Sequence, residues 1–180
     1  MTEAPGRARI GSSVHGPERE GRQIALAAVF EAEFGQRTAG RILERRLAGG
    51  DIGARAGAHA TRIVEVVVAY RDSIDATIEA VAPRYPVVQL ARIDRALLRC
   101  GVGELLHCPT TPARVAISEW VELARTYSGE PTRRLMNGAL GRVAQQATDS
   151  EGTERDDEST PGPESAADTV TQAHTEGTRE

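Results

Sequence analysis

A chain of 180 residues with 39% hydrophobic and 27% charged side chains fits one domain of ordinary size plus some unpacked segments, and excludes a long multidomain enzyme. Aromatics are only 3% (Phe30, Phe34, Tyr70, Tyr85, Trp120, Tyr127), so the core must come mostly from Ala, Val, Leu and Ile, which favours close-packed helices over a sheet. No run approaches the roughly 20 apolar residues of a membrane span, which excludes a membrane-spanning helix, and the formal charge of −4 averages two unlike segments.

Residues 1–17 are rich in Gly, Pro and Ser without an apolar period, and read as a flexible arm. From Glu18 to about Phe34, Leu26, Val29, Phe30 and Phe34 fall on one stripe, predicting a first helix stopped at Gly35. Thr38 is placed to cap a short helix carrying Ile42, Leu43 and Leu47, ending at Gly49-Gly50. After a loop at 51–57, the apolar period through Ile63, Val66, Val67, Tyr70, Ile74 and Ile78 predicts one long helix from about Ala58 to Val81. Pro83 and Pro86 break the chain, and Val87 to Arg92 reads as a short turn of helix. Residues 93–107 carry so few polar positions that they predict the most central helix. Thr111-Pro112 reads as a cap and first position for a helix holding Ala116, Ile117, Trp120, Val121, Leu123 and Ala124. A turn at 128–131 precedes a last helix through Leu135, Met136, Leu140 and Val143. The expected fold is all-α, a compact bundle of six to seven helices over residues 18–148.

Residues 149–180 hold ten acidic side chains against Arg155 and Arg179, with almost no large apolar residue, and read as an acidic disordered tail. The net charge is −8 there and +4 over residues 1–148, so the folded part is mildly basic. All 22 basic residues are Arg. Guanidinium suits phosphate recognition, and biased base composition in a genome gives the same usage.

No converging set of titratable groups supports catalysis. Gly101-Val102-Gly103 and Gly138 to Gly141 lie inside helical periods and read as sites of close helix packing, without the strand–turn–helix setting of a phosphate loop. Cys100, His107 and Cys108 match no zinc spacing and lack a fourth ligand; Cys100 reads as core and Cys108 as a loop thiol. Two cysteines make no disulfide framework, and the N-terminus lacks a signal-peptide pattern, so a reducing, cytoplasmic location is expected. If the two helical ends meet, Arg19, Arg22, Arg125, Arg133 and Arg134 make one phosphate-binding patch, with Tyr127 available to stack on an unpaired base. A solvated Arg face is the competing reading.

Three stretches in order, RQIALAAVFEAE (22–33), IDRALLRCGVGELL (93–106) and VAISEWVELARTYSGEPTRRLMNGALG (115–141), resemble the NusB family of transcription antitermination proteins. The resemblance covers roughly residues 18–146. It implies two small helical subdomains, no enzymatic activity, and no metal or nucleotide cofactor. It further implies binding to single-stranded boxA RNA of ribosomal RNA operons together with NusE, a small-subunit ribosomal protein. The pair then joins RNA polymerase and other Nus factors. Carried over by position, Arg19 and Arg22 match the RNA-contacting start of the first helix, and Arg133 and Arg134 a polar or basic pair beside the RNA surface. Asn137 and Gly138 match the N-G of the last helix, while Phe30 and Asp94 match positions on the NusE side. Phe30 as core and Asn137 as a helix cross-link stay open.

The departures are Glu18 and Glu20 among the first arginines, Leu135 where relatives carry Phe, Ser118 for Asn, and Trp120 for a small residue. Leu135 removes a stacking platform, and Trp120 must either fill a gap or mark a partner surface. Two other classes stay open: a protein-interaction module without RNA binding, and an accessory domain like that preceding some ribosomal RNA cytosine methyltransferases. A homodimer is also left open.

Overall fold

The structure, a computed structural model, describes residues 16–157. The expected arm, apart from Gly16 and Pro17, and the tail beyond residue 157 lie outside the described residues. Within them the chain forms seven α-helices and one 3-10 turn, without a strand.

Pro17 occupies the first turn of α1 (Pro17–Ala32), where its missing N–H costs nothing and its fixed φ suits a helix. Gly35, at φ 76°, turns the chain through the left-handed region. The Thr38 hydroxyl accepts the Arg41 N–H and opens α2 (Ala39–Leu47), as the sequence predicts, and Gly50 at φ 77° follows its end. The predicted single helix from 58 to 81 is instead two, α3 (Ala54–Ala69) and α4 (Arg71–Val81), broken at Tyr70 with φ −114° and ψ 21°. The bend keeps Val66 and Ile74 on the same neighbour, because a Cβ at Gly103 would meet both at 3.1 and 3.3 Å. Apolar period alone cannot register a bend that leaves the same face inward.

The 3-10 turn Val87–Gln89 leads into α5 (Arg92–His107). Then α6 (Ala113–Tyr127) starts one residue later than expected, after Pro112 and without a side-chain cap. Thr111 instead closes a turn, its N–H donating to Cys108 O. Finally α7 (Glu130–Asp157) continues past the predicted end of the folded segment.

α1, α2 and α3 pack on one another, α4 to α7 form a second group, and α5 touches α1, α3, α4, α6 and α7. Leu97, Leu98, Cys100 and Val102 of α5 are fully buried in one continuous core. The expected central helix is central. Gly101 and Gly103 serve the close packing read from the sequence, one against Met136 and Leu140, the other against Val66, Val67 and Ile74. Gly138 and Gly141 do not: a Cβ at Gly138 meets only its own helix's Arg142, and at Gly141 nothing. Among the described residues no helix is long and apolar enough to cross a membrane.

Candidate nucleic-acid interface

The side chain that organises this end of the bundle is one the sequence reading passes over. Glu104 of α5 is fully buried and accepts two hydrogen bonds from Arg22 of α1, at 2.8 and 2.6 Å, and one from the Trp120 indole of α6 at 2.6 Å. His59 Nε2 of α3 lies 3.2 Å from the same carboxylate, off the line of a directed hydrogen bond. Burial alone pushes the Glu104 carboxyl up; His59, Arg22 and Trp120 outweigh it and hold the group at about 2. The arrangement ties four helices at one carboxylate. Glu104 stands one turn beyond Cys100 and Gly101 on the inward stripe of α5, so a carboxylate at an apolar-face position was the available signal.

This cluster corrects one expectation and decides between two alternatives. Arg22 is 2% exposed with its guanidinium committed to Glu104, so it cannot reach a phosphate. Trp120 is fully buried and fills space beside the cluster, so it offers no partner surface.

Arg19, one turn before, stays near the surface and pairs with Glu119 of α6 at 3.2 Å. It lines a shallow depression with Arg114, Ser118 and Glu122 of α6 and Asn137 of α7. Glu122 is hydrogen-bonded by Arg125, and its carboxyl is held below the usual range by that bond and by the charges of Arg125, Arg19 and Arg133. The start of α1 and the start of α7 therefore meet over one face of α6. At the rim, Arg133 and Arg134 share Glu130, whose exposed carboxyl their hydrogen bonds hold at about 2. Five guanidiniums, counting Arg114, face the three carboxylates Glu119, Glu122 and Glu130, and the patch is net positive. Asn137 is exposed there and makes no helix cross-link.

Tyr127, expected among these residues, sits on an adjoining depression lined by Gln23, Leu26, Ala27 and Phe30 of α1 and by Ile93. Arg19, Gln23, Ala27 and Phe30 lie along one stripe of α1, so the cationic and apolar depressions are consecutive. Phe30 is half-buried against the core, with Phe34 edge-on at 5.4 Å. Asp94 accepts hydrogen bonds from the hydroxyls of Ser128 and Thr132 and so braces the α6–α7 turn.

Nothing in the described residues gathers three or more His, Cys, Asp or Glu side chains fit to hold a metal. Cys100 and Cys108 are both free and buried; Cys108 lies in the loop just after α5, as expected, but is covered. Burial, reinforced by the Glu104 charge, pushes both thiols up, that of Cys108 to about 11, and neither is a nucleophile near neutral pH.

The sequence matches the profile of the NusB family over residues 19–145. It is 34% identical over 131 residues to the transcription antitermination protein NusB of Dehalococcoides mccartyi strain CBDB1, covering 73% of this chain and 92% of that protein. It is 34% identical over 133 residues to the NusB of Myxococcus xanthus, covering 72% and 95%. Among solved structures, T. maritima NusB superposes with a TM-score of 0.69 at 28% identity, covering 78% of this chain and 99% of that one. A structure of antitermination factors NusB and NusE in complex with dsRNA shares the fold, with a TM-score of 0.65 at 21% identity over 72% of this chain and 97% of that one.

Proposed function

The chain belongs to the NusB family of non-enzymatic transcription antitermination factors, and from that membership we propose that it binds the single-stranded boxA element of ribosomal RNA operons together with NusE. In this reading it acts in the cytoplasm and joins RNA polymerase with other Nus factors. Arg19, Arg125, Arg133, Arg134 and Asn137 take the RNA. Arg114 joins them, and Tyr127, Phe30 and Asp94 lie toward the protein partner. The observation that carries the reading is the cationic face at α6, where Arg19 of α1 pairs with Glu119, Arg125 of α6 with Glu122, and Arg133 of α7 with Glu130. Such a surface exchanges its carboxylate partners for phosphates and needs no metal or nucleotide. The solved assembly of a NusB with NusE and RNA supports the same class of partners.

A salt titration of binding to boxA RNA, with and without NusE, tests it. Arg19→Ala and Arg133→Ala are each expected to lower the slope of log K against log salt by about 0.7, the value for one single-strand phosphate contact. Slopes unchanged from the parent protein reject the assignments. A second reading, an interaction module without RNA binding, is favoured by one observation: Arg19, Arg125, Arg133 and Arg134 are all already paired with carboxylates. It predicts NusE binding with no salt-dependent RNA affinity.

A further inference from the structure

We propose a second RNA-contacting surface, centred on the Gln36-Arg37-Thr38 loop between α1 and α2, that carries nucleotides flanking the boxA element; it rests on the RNA-binding reading above. Three depressions meet at this loop. One lies toward Arg71 at the α3–α4 break, one along α2 past Arg41, and one beside Phe34; Gln36 and Arg37 line all three. A track of joined depressions suits an extended strand rather than a compact ligand.

The charge here differs in kind from that of the α6 face. Among the described residues Arg37, Arg71 and Arg92 form no ion pair, and Arg41 reaches Glu44 only at 3.9 Å with both side chains largely in water. On the α6 face most of the arginines are already neutralised. Uncompensated guanidiniums around one loop are free to neutralise phosphates of an RNA backbone and release the cations condensed on it. Phe34 is 54% exposed with the Arg92 guanidinium 4.8 Å above its ring. A cation over an exposed aromatic is a layered platform on which an unpaired base adds by stacking.

The test uses the full chain without NusE and two RNAs, a boxA oligonucleotide of about 12 nucleotides and one of about 40 with boxA at its centre, lengths that fill one single-strand site and overrun it. The parent protein is expected to bind the longer RNA about 10-fold more tightly at low salt, a gain that fades as salt rises. Arg37→Gln with Arg71→Gln, both at exposed positions outside the core, is expected to abolish that gain and leave affinity for the short RNA unchanged. Phe34→Ala is expected to cost the longer RNA about 5-fold or more. Equal affinity of the parent protein for both RNAs, or a gain that survives in the double variant, overturns this surface and leaves the boxA reading standing. Failure on the short RNA alone counts against the α6 face and not against this loop.

Discussion

Three side chains from three helices meet at Glu104 of a fourth, and their energetics are set by what each would lose if left alone. Removing a charge from a buried pair leaves its partner unsolvated, which costs about 3–5 kcal/mol, whereas replacing both with apolar side chains of similar volume is often close to neutral. Glu104→Leu is therefore expected to destabilise severely in urea unfolding, while Arg22→Met combined with Glu104→Leu recovers most of the loss. If the double variant proves as unstable as the single one, packing rather than charge burial sets the cost. Trp120→Phe keeps most of the ring volume and removes one donor at 2.6 Å, and is expected to cost about 1–2 kcal/mol in the same measurement.

Helices are spaced by their glycines, and each site tolerates a methyl group according to what lies opposite. At Gly21 of α1 an added Cβ would meet the backbone oxygen of Ala56 at 2.8 Å and His59 Cβ at 2.9 Å, so α1 and α3 would have to separate. At Gly103 it would press on β-branched Val66, which has little freedom, and at Gly101 on the flexible end of Met136. Gly141 is exposed with open space around it. The expected order of melting temperatures is therefore Gly21→Ala lowest, then Gly103→Ala, then Gly101→Ala. Gly141→Ala should lie above the parent by the helix-propensity gain of about 0.5–1 kcal/mol. A Gly21→Ala protein that melts with the parent would show that the α1–α3 crossing is looser than described.

Across the whole molecule, the depressed Glu104 carboxyl links stability to acid. Its folded value of about 2 lies below the ordinary 4.5, so the folded state binds its proton less readily than the unfolded chain. The resulting stabilisation, about 3 kcal/mol at 1.36 kcal/mol per unit, is complete above about pH 5 and is lost as pH falls toward 2. Unfolding midpoints in urea should stay level from pH 7 to about 5 and then drop. Glu104→Gln should flatten the drop within its own lower stability. Glu130 is shifted in the same direction, but it is exposed and its ion pairs are screened, so added salt should change the acid limb little.

Period, caps and breakers in the sequence determined the helical class, the central place of α5, the Thr38 cap, and the helix breaks at Gly35 and Gly50, because each depends on residues within one or two turns. The same spacing put Arg19 and Arg133 near helix starts and left open whether those starts adjoin. Only the tertiary fold set both near the Glu122 charge, Arg19 pairing with Glu119 and Arg133 with Glu130, and it sent Arg22, one turn from Arg19, inward to Glu104. An arginine's neighbours across helix contacts, up to 100 residues away in the chain, decide whether its charge faces water or is spent on a buried carboxylate. The bend at Tyr70 and the burial of Trp120 and Cys108 belong to the same class, since local pattern carries the direction of a face but not the object it packs against.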